Sequence, residues 1–414
     1  MSGMADRYDV VIVGAGHGGV QLATALTRAG YSGSVALIGD EPDLPYERPP
    51  LSKGFLAGTQ TFEEITLRSP EYWADSPVQL IRGTRVTRVE AGGHEIVTAG
   101  GARIGYGRLV WAAGGTARAL PVPGAALAGV HAIRTAADTR AVRGELPLVR
   151  RAVIVGGGYV GLETAAALKM HGMEVTVVEA QDRLLARVTS PVVSGHMARV
   201  HRNHGVEIRL DAGVRGFGGS AGRVRSVCLD DGAELPADLV IVGVGLRPNV
   251  DVLAAAGAVC SDGVDVDERC RTSLDDISAI GDCARQPSAL AGGRPVRLES
   301  VQNAGDQARI AASDLLGEPA VARAVPWFWS HQYDVKLKTA GLLAGYDTVV
   351  LRGDPAGGAF SAVYLADGRV IAVDSVNSAA DFAQGKTLVG RGVRAEPDEV
   401  ADTGRPLKAL LKRT

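Results

Sequence analysis

Nearly unbroken apolar runs, each cut off by glycine, recur along this chain and alternate with stretches whose apolar residues fall at helical spacing. Residues 8–13 run into Gly14-Ala15-Gly16-His17-Gly18-Gly19, after which Leu22, Ala25 and Leu26 mark one face of a helix. The pattern returns where residues 152–155 run into Gly156-Gly157-Gly158-Tyr159-Val160-Gly161, followed by Leu162, Ala165 and Leu168. A second apolar run closes each copy, residues 35–38 in the first and 175–178 in the second. Continuous runs of this length predict strands buried on both faces, so each copy reads as strand, tight turn, helix, strand. Residues 108–113, 239–242 and 277–282 predict further strands, the last with an exposed acid, Asp282, at its tip. From Pro326 the texture changes. Residues 349–351, 360–364 and 370–374 are short β-rich runs, and Asp367-Gly368 predicts a hairpin turn. The predicted fold is α/β, with two Rossmann-like dinucleotide-binding domains and a small C-terminal α+β domain. A Pro- and Gly-rich passage at residues 120–124 marks the first crossing. Residues 1–117 and 249–325 then form the first domain, 118–248 the second and 326–414 the third.

The chemistry sits at the two turns. Glycines there allow the tight bend, let backbone approach a pyrophosphate and let helix pack closely on sheet; an acid about 20 residues on accepts from ribose hydroxyls. Gly14, Gly16, Gly18 and Gly19 with Asp40 fill these roles in the first copy, and Gly156, Gly158 and Gly161 with Glu179 in the second. Two such units imply two dinucleotides and a hydride passed between them. Glu179 favours a free 2′-hydroxyl, hence NADH over NADPH, although the nearby Arg183 softens the preference. Gly243-Val244-Gly245 repeats, at the end of the second domain's sheet, the strand-then-glycine step of Ala113-Gly114.

Bulk properties narrow the class. Hydrophobic residues at 46% and charged ones at 22% describe a globular protein rather than a disordered chain. A net charge of −2 recruits neither nucleic acid nor anionic membrane. No apolar stretch approaches the roughly 18 residues that span a bilayer, and the first strand begins too early for a signal peptide, so a cytoplasmic protein is expected. Cys228, Cys260, Cys270 and Cys283 are scattered, without metal or redox-pair spacing. A two-dinucleotide chain lacking a redox cysteine pair passes its electrons to an outside acceptor. His196, His201 and His204 share a helix-like segment with no metal spacing and are expected to face solvent.

Three long strings carry a family likeness: residues 44–53 (Leu-Pro-Tyr-Glu-Arg-Pro-Pro-Leu-Ser-Lys), 300–308 (Ser-Val-Gln-Asn-Ala-Gly-Asp-Gln-Ala) and 326–334 (Pro-Trp-Phe-Trp-Ser-His-Gln-Tyr-Asp). Their order resembles the glutathione-reductase-like flavoproteins, and among those the oxygenase-coupled ferredoxin reductases. The resemblance implies FAD on the first fold and NADH on the second. It places Lys53 beside the flavin ring with Glu163 as its partner, Arg48 and Pro49 along the flavin, and Asp282 at the ribityl chain. Val86, Ala113, Gly114, Arg118, Val301 and Gln302 would complete the FAD site, Asn303 would help open its helix, and Trp329 would lie at the flavin edge. Tyr159, Val160 and Glu163 would border the nicotinamide, with Tyr159 shielding the flavin until nicotinamide displaces it. One departure is visible: His331 stands where the family's string usually has aspartate.

The resemblance therefore implies an NADH-dependent ferredoxin reductase, a monomer passing electrons from NADH through FAD to a [2Fe–2S] ferredoxin. That ferredoxin would serve a cytochrome P450 or a Rieske-type oxygenase. Arg309, Lys336, Lys338, Lys408 and Lys412 are candidates for a basic patch that steers an acidic partner. Thiol- or oxygen-directed relatives carry a redox cysteine in the segment that here runs from Asp40 to Lys53 without one. A rubredoxin reductase and a redox-signalling flavoprotein resembling apoptosis-inducing factor are the alternatives.

Overall fold

The run ahead of the first glycine turn becomes the central strand of a sheet, Arg7–Val13, in a computed structural model that describes residues 6–319 and 324–413. The chain divides into two compact units. Unit 1 comprises residues 1–47, 62–116 and 247–326, and unit 2 comprises 48–61, 117–246 and 327–414.

In unit 1, Arg7–Val13 lies parallel between Val35–Ile38 and Arg103–Trp111, with Val10 opposite Val35 and Val11 opposite Leu109. Val78–Ile81 extends one side; Ile277–Ala279 joins the other, pairing parallel to Arg103–Trp111. A hairpin of Val86–Glu90 and Glu95–Thr98 adds antiparallel strands. Val10, Val11 and Ile12 are fully buried, as a two-faced strand requires. The predicted strand ending in Asp282 is shorter than expected. It stops at Ala279, Gly281 turns at φ +81°, and Asp282 sits half-buried in the single turn Gly281–Cys283 rather than exposed.

Unit 2 repeats the plan. Its parallel sheet runs Val206–Arg209, Glu174–Val178, Arg151–Val155, Leu239–Val242, Val130–His131. The C-terminal sheet is antiparallel, in the order Trp327–Gln332, Val335–Gly341, Arg369–Val376, Ala359–Ala366, Thr348–Asp354. The hairpin between Ala359–Ala366 and Arg369–Val376 turns through Asp367 at φ +48° and Gly368 at φ +70°, the two positive φ values that a two-residue turn of this kind demands.

Two of the three grouped histidines depart from expectation. On the helix Pro191–Asn203, His201 is fully buried and His196 is 6% exposed, while His204 just beyond it is exposed. Val193, Met197 and His201 form one stripe at a four-residue interval, so the inward face of the helix carries the imidazole with it. Burial lowers the pKa of both inward histidines.

Candidate functional site

Both glycine turns are built by steric necessity. Gly14 has φ +115°, and a Cβ there would lie 2.2 Å from the Ala112 carbonyl oxygen; Gly156 has φ +109° and would meet the Gly243 oxygen at 2.4 Å. At Gly19 and Gly161 a Cβ would fall 2.0 and 2.1 Å from the carbonyl oxygens of Gly14 and Gly156, so these glycines set how closely helix approaches turn. Gly16 and Gly158 are different. A Cβ at either would meet nothing within 4 Å, and each is the N-cap of its helix without a capping side chain. A bare helix N-terminus facing open space is a cradle for an anion, and a dinucleotide pyrophosphate fits it in both units. Gly18 is less constrained, since its Cβ would make ordinary contacts with Ile280 and Ala304. The matching position in the second copy is Val160, 44% exposed.

The acids that close the two copies differ. Asp40 is exposed, with Arg85 Nη2 3.2 Å from its carboxylate. Glu179 accepts from its own turn, Oε2 from the Gly157 amide at 2.6 Å and Oε1 from the Gln181 amide at 2.9 Å. Arg183 donates to the carbonyls of Thr189 and Ala186, within its own loop. Gly243 donates to the Val155 carbonyl, Arg118 N–H donates to the Gly245 carbonyl, and Val244 is half-buried between those two glycines.

Elsewhere in unit 1, Asn249 caps the end of Arg103–Trp111, its Nδ2 donating to the Ala113 carbonyl and its backbone N–H to that of Gly114. The helix Val301–Leu315 begins where predicted, capped by Ser300, which accepts from the Asn303 amide. Gln302 donates to Asp306, and Asn303, 3% exposed, donates to the Leu298 carbonyl. Val86 is 7% exposed in the hairpin. Arg309 pairs with Asp306.

Unit 2 holds a charged cluster of its own. Glu163, on the second fingerprint helix Tyr159–Met170, is only 4% exposed because residues 161–168 are buried all round. Lys53 Nζ lies 2.6 Å from Glu163 Oε2 and also donates to the Pro49 carbonyl. Ser52 donates to Oε2 at 2.7 Å and Ser330 to Oε1 at 2.5 Å, so the carboxylate has three donors in a place where an unpaired charge would be costly. The structure thus brings Lys53 and Glu163 together, and adds Ser52 and Ser330, to which the resemblance assigned no role. Arg48 donates to the Arg134 carbonyl. Tyr159 packs on Phe328 at 4.5 Å, and burial raises its phenol pKa. Trp329 is half-buried, 5.4 Å from Trp327. Lys336, Lys408 and Lys412 are exposed, whereas Lys338 lies over the Phe382 ring. Cys228, Cys260 and Cys283 are free thiols, Cys270 is buried with its sulfur 3.9 Å from the Gln307 carbonyl, and burial pushes the Cys283 thiol up to about 12.

Two open cradles on two Rossmann-type sheets define an oxidoreductase of the two-dinucleotide class. The chain belongs to the pyridine nucleotide-disulphide oxidoreductase family, whose model matches residues 8–308, and a reductase C-terminal model matches residues 327–411. It is 49% identical to the 5,5′-dehydrodivanillate O-demethylase ferredoxin reductase subunit of Sphingobium sp., over 98% of both chains. Putidaredoxin reductase of Pseudomonas putida is 42% identical, over 97% of this chain and 96% of that one. Among solved structures, the reductase in a covalent putidaredoxin reductase–putidaredoxin complex superposes with a TM-score of 0.94 at 41% identity, over 99% of each chain. Among the described residues, no helix is long and apolar enough to cross a membrane, and no group of His, Cys, Asp and Glu could hold a metal.

Proposed function

We propose that this chain takes electrons from NADH through FAD to a [2Fe–2S] ferredoxin, which in turn serves a cytochrome P450 or a Rieske-type oxygenase. The observation that carries the reading is the pair of open glycine cradles in one chain whose cysteines have no redox-pair spacing. Bound FAD would supply the conversion of a two-electron hydride from NADH into single electrons for an iron–sulfur acceptor. The chain's own residues supply position and charge. Amides at the start of each fingerprint helix hold a pyrophosphate, with the helix dipole favouring its negative charge. Glu179, fixed by two backbone amides, accepts from a ribose hydroxyl and disfavours a 2′-phosphate. Lys53 offers the flavin ring a positive charge, and Glu163 holds that charge in one place. The protein acts as a monomer in the cytoplasm, and exposed lysines including Lys336 steer an acidic carrier.

The test is NADH-dependent cytochrome c reduction with a panel of [2Fe–2S] and rubredoxin-type carriers. A [2Fe–2S] carrier should accelerate turnover by more than about tenfold, the range of steered encounter. Acceleration by rubredoxin alone would make the chain a rubredoxin reductase. Slow NADH oxidation that no carrier stimulates would point to a signalling flavoprotein.

A further inference from the structure

Glu163 is the end of a longer hydrogen-bond chain whose direction can be deduced. An ionised carboxylate only accepts, so the single hydroxyl hydrogen of Ser330 goes to Glu163 Oε1 at 2.5 Å. Ser330 Oγ can then only accept from its other neighbour, Gln332, and Gln332 Nε2 lies 3.0 Å away. With its amide nitrogen turned to Ser330, Gln332 presents Oε1 to His201 Nε2 at 2.7 Å. The imidazole must therefore carry its hydrogen on Nε2. The opposite ring atom agrees: Nδ1 is buried without a hydrogen-bond partner, a place for a bare lone pair rather than for an orphaned N–H. Tyr333 packs edge-on against the ring at 5.2 Å and fixes its plane.

We propose that His201 is a positioning residue for hydride transfer: by donating to Gln332 it locks the direction of this chain, so that Ser330 always donates to Glu163. This rests on the reading that Lys53 and Glu163 serve the flavin-reducing half-reaction. Without a donor at position 201 the Gln332 amide is free to turn over and offer its oxygen to Ser330. The serine hydrogen then leaves Glu163, and the buried carboxylate keeps only Ser52 and Lys53. The Lys53–Glu163 pair loses its fixed geometry although neither residue has changed.

Two measurements test this. In the native holoenzyme at pH 7, with 15N-labelled histidine, the His201 ring should appear as the neutral Nε2–H tautomer. An Nδ1–H tautomer or a cationic ring overturns the proposal without any variant being made. In stopped flow, His201→Phe should slow flavin bleaching by NADH about fivefold, the loss of one hydrogen bond of ordinary strength. Ser330→Ala should do the same, and the double variant should be no slower than Ser330→Ala alone. Equal extra slowing by His201→Phe in both backgrounds would mean a packing effect and no relay. Glu163→Gln separates the levels. If it leaves bleaching at the native rate, the underlying reading of Lys53 and Glu163 fails; if it slows bleaching while His201→Phe does not, only the relay fails.

Discussion

Each unit keeps a carboxylate out of water, and the two do so with different chemistry. In unit 1, Asp314 lies on the helix Val301–Leu315 with its side chain 2% exposed, and it takes ion pairs from Arg108, Arg269 and Arg271. Burial opposes its ionisation, but hydrogen bonds from Arg271 and Arg269 and the charges around them outweigh this and hold its pKa below the usual range. In unit 2, Asp374 is fully buried among hydroxyls, with Thr339 at 2.6 Å, Tyr364 at 2.5 Å and Thr189 closer still. Those three partners are all hydroxyls, and burial raises its pKa against the pull of their bonds. Glu163, also in unit 2, lies between the two cases, with one lysine and two serines. Charge pairing holds a group ionised, whereas hydroxyls alone only make burial tolerable. Lys53, proposed above as a fixed charge, is paired with such a carboxylate.

The sharpest way to break the parallel between the units is through their turns, which are alike where the acids are not. Gly19→Ala and Gly161→Ala each drive a Cβ to about 2 Å from a carbonyl oxygen. Displacing backbone by that much costs on the order of 4 kcal/mol or more. Gly19→Ala should yield protein that loses its yellow colour on gel filtration. Gly161→Ala should keep the colour and fail to bleach with NADH, with dithionite reduction unchanged. Loss of colour in both would mean that the two turns do not serve separate dinucleotides.

What the sequence made legible follows the range of the forces involved. The glycine turns and the Asp367-Gly368 hairpin were readable because a positive φ or a close approach is a local demand. Ser330 and Gln332 were not, because their partners, Glu163 and His201, come from segments more than a hundred residues away. His201 departs from expectation for a different reason. Its polarity suggested solvent, although its spacing from Val193 and Met197 already placed it on the buried stripe. The strand before Asp282 is shorter than its apolar run predicts because Gly281 ends it with a left-handed turn that residue composition does not specify.

The contrast between the buried acids predicts opposite pH behaviour. Asp314, with its folded pKa lowered, contributes stability above the ordinary aspartate range and loses it as pH falls through the folded value. Asp314→Asn should therefore be less stable than the native chain at pH 7, by about 3 kcal/mol as expected for breaking a buried pair, with the gap closing toward pH 3. Asp374, with its pKa raised, gives its full contribution below about pH 3.9 and loses it as pH rises through the folded value. Asp374→Asn should gain on the native chain over that rise, by about 1.4 kcal/mol for each unit of elevation. Urea midpoints from pH 3 to pH 8 would check both, and parallel curves for the two variants would remove the contrast.

The smallest effect belongs at the surface, where solvent screens what burial amplifies. Lys336 is exposed and pairs across the sheet with His331, while Lys338 pairs with Trp329 and sits 5.3 Å from the Phe382 ring centre. Charge reversal, Lys336→Glu with Lys338→Glu, should raise the KM for the ferredoxin by about tenfold or less at low salt, the scale of rim charges. The increase should shrink as ionic strength rises and the Debye length falls to about 8 Å. NADH-to-ferricyanide turnover, which needs no protein partner, should stay at the native rate. If both activities fall together, these lysines act on the interior of unit 2 instead of on an approaching carrier, and surface charge there would belong with Lys53 and Glu163.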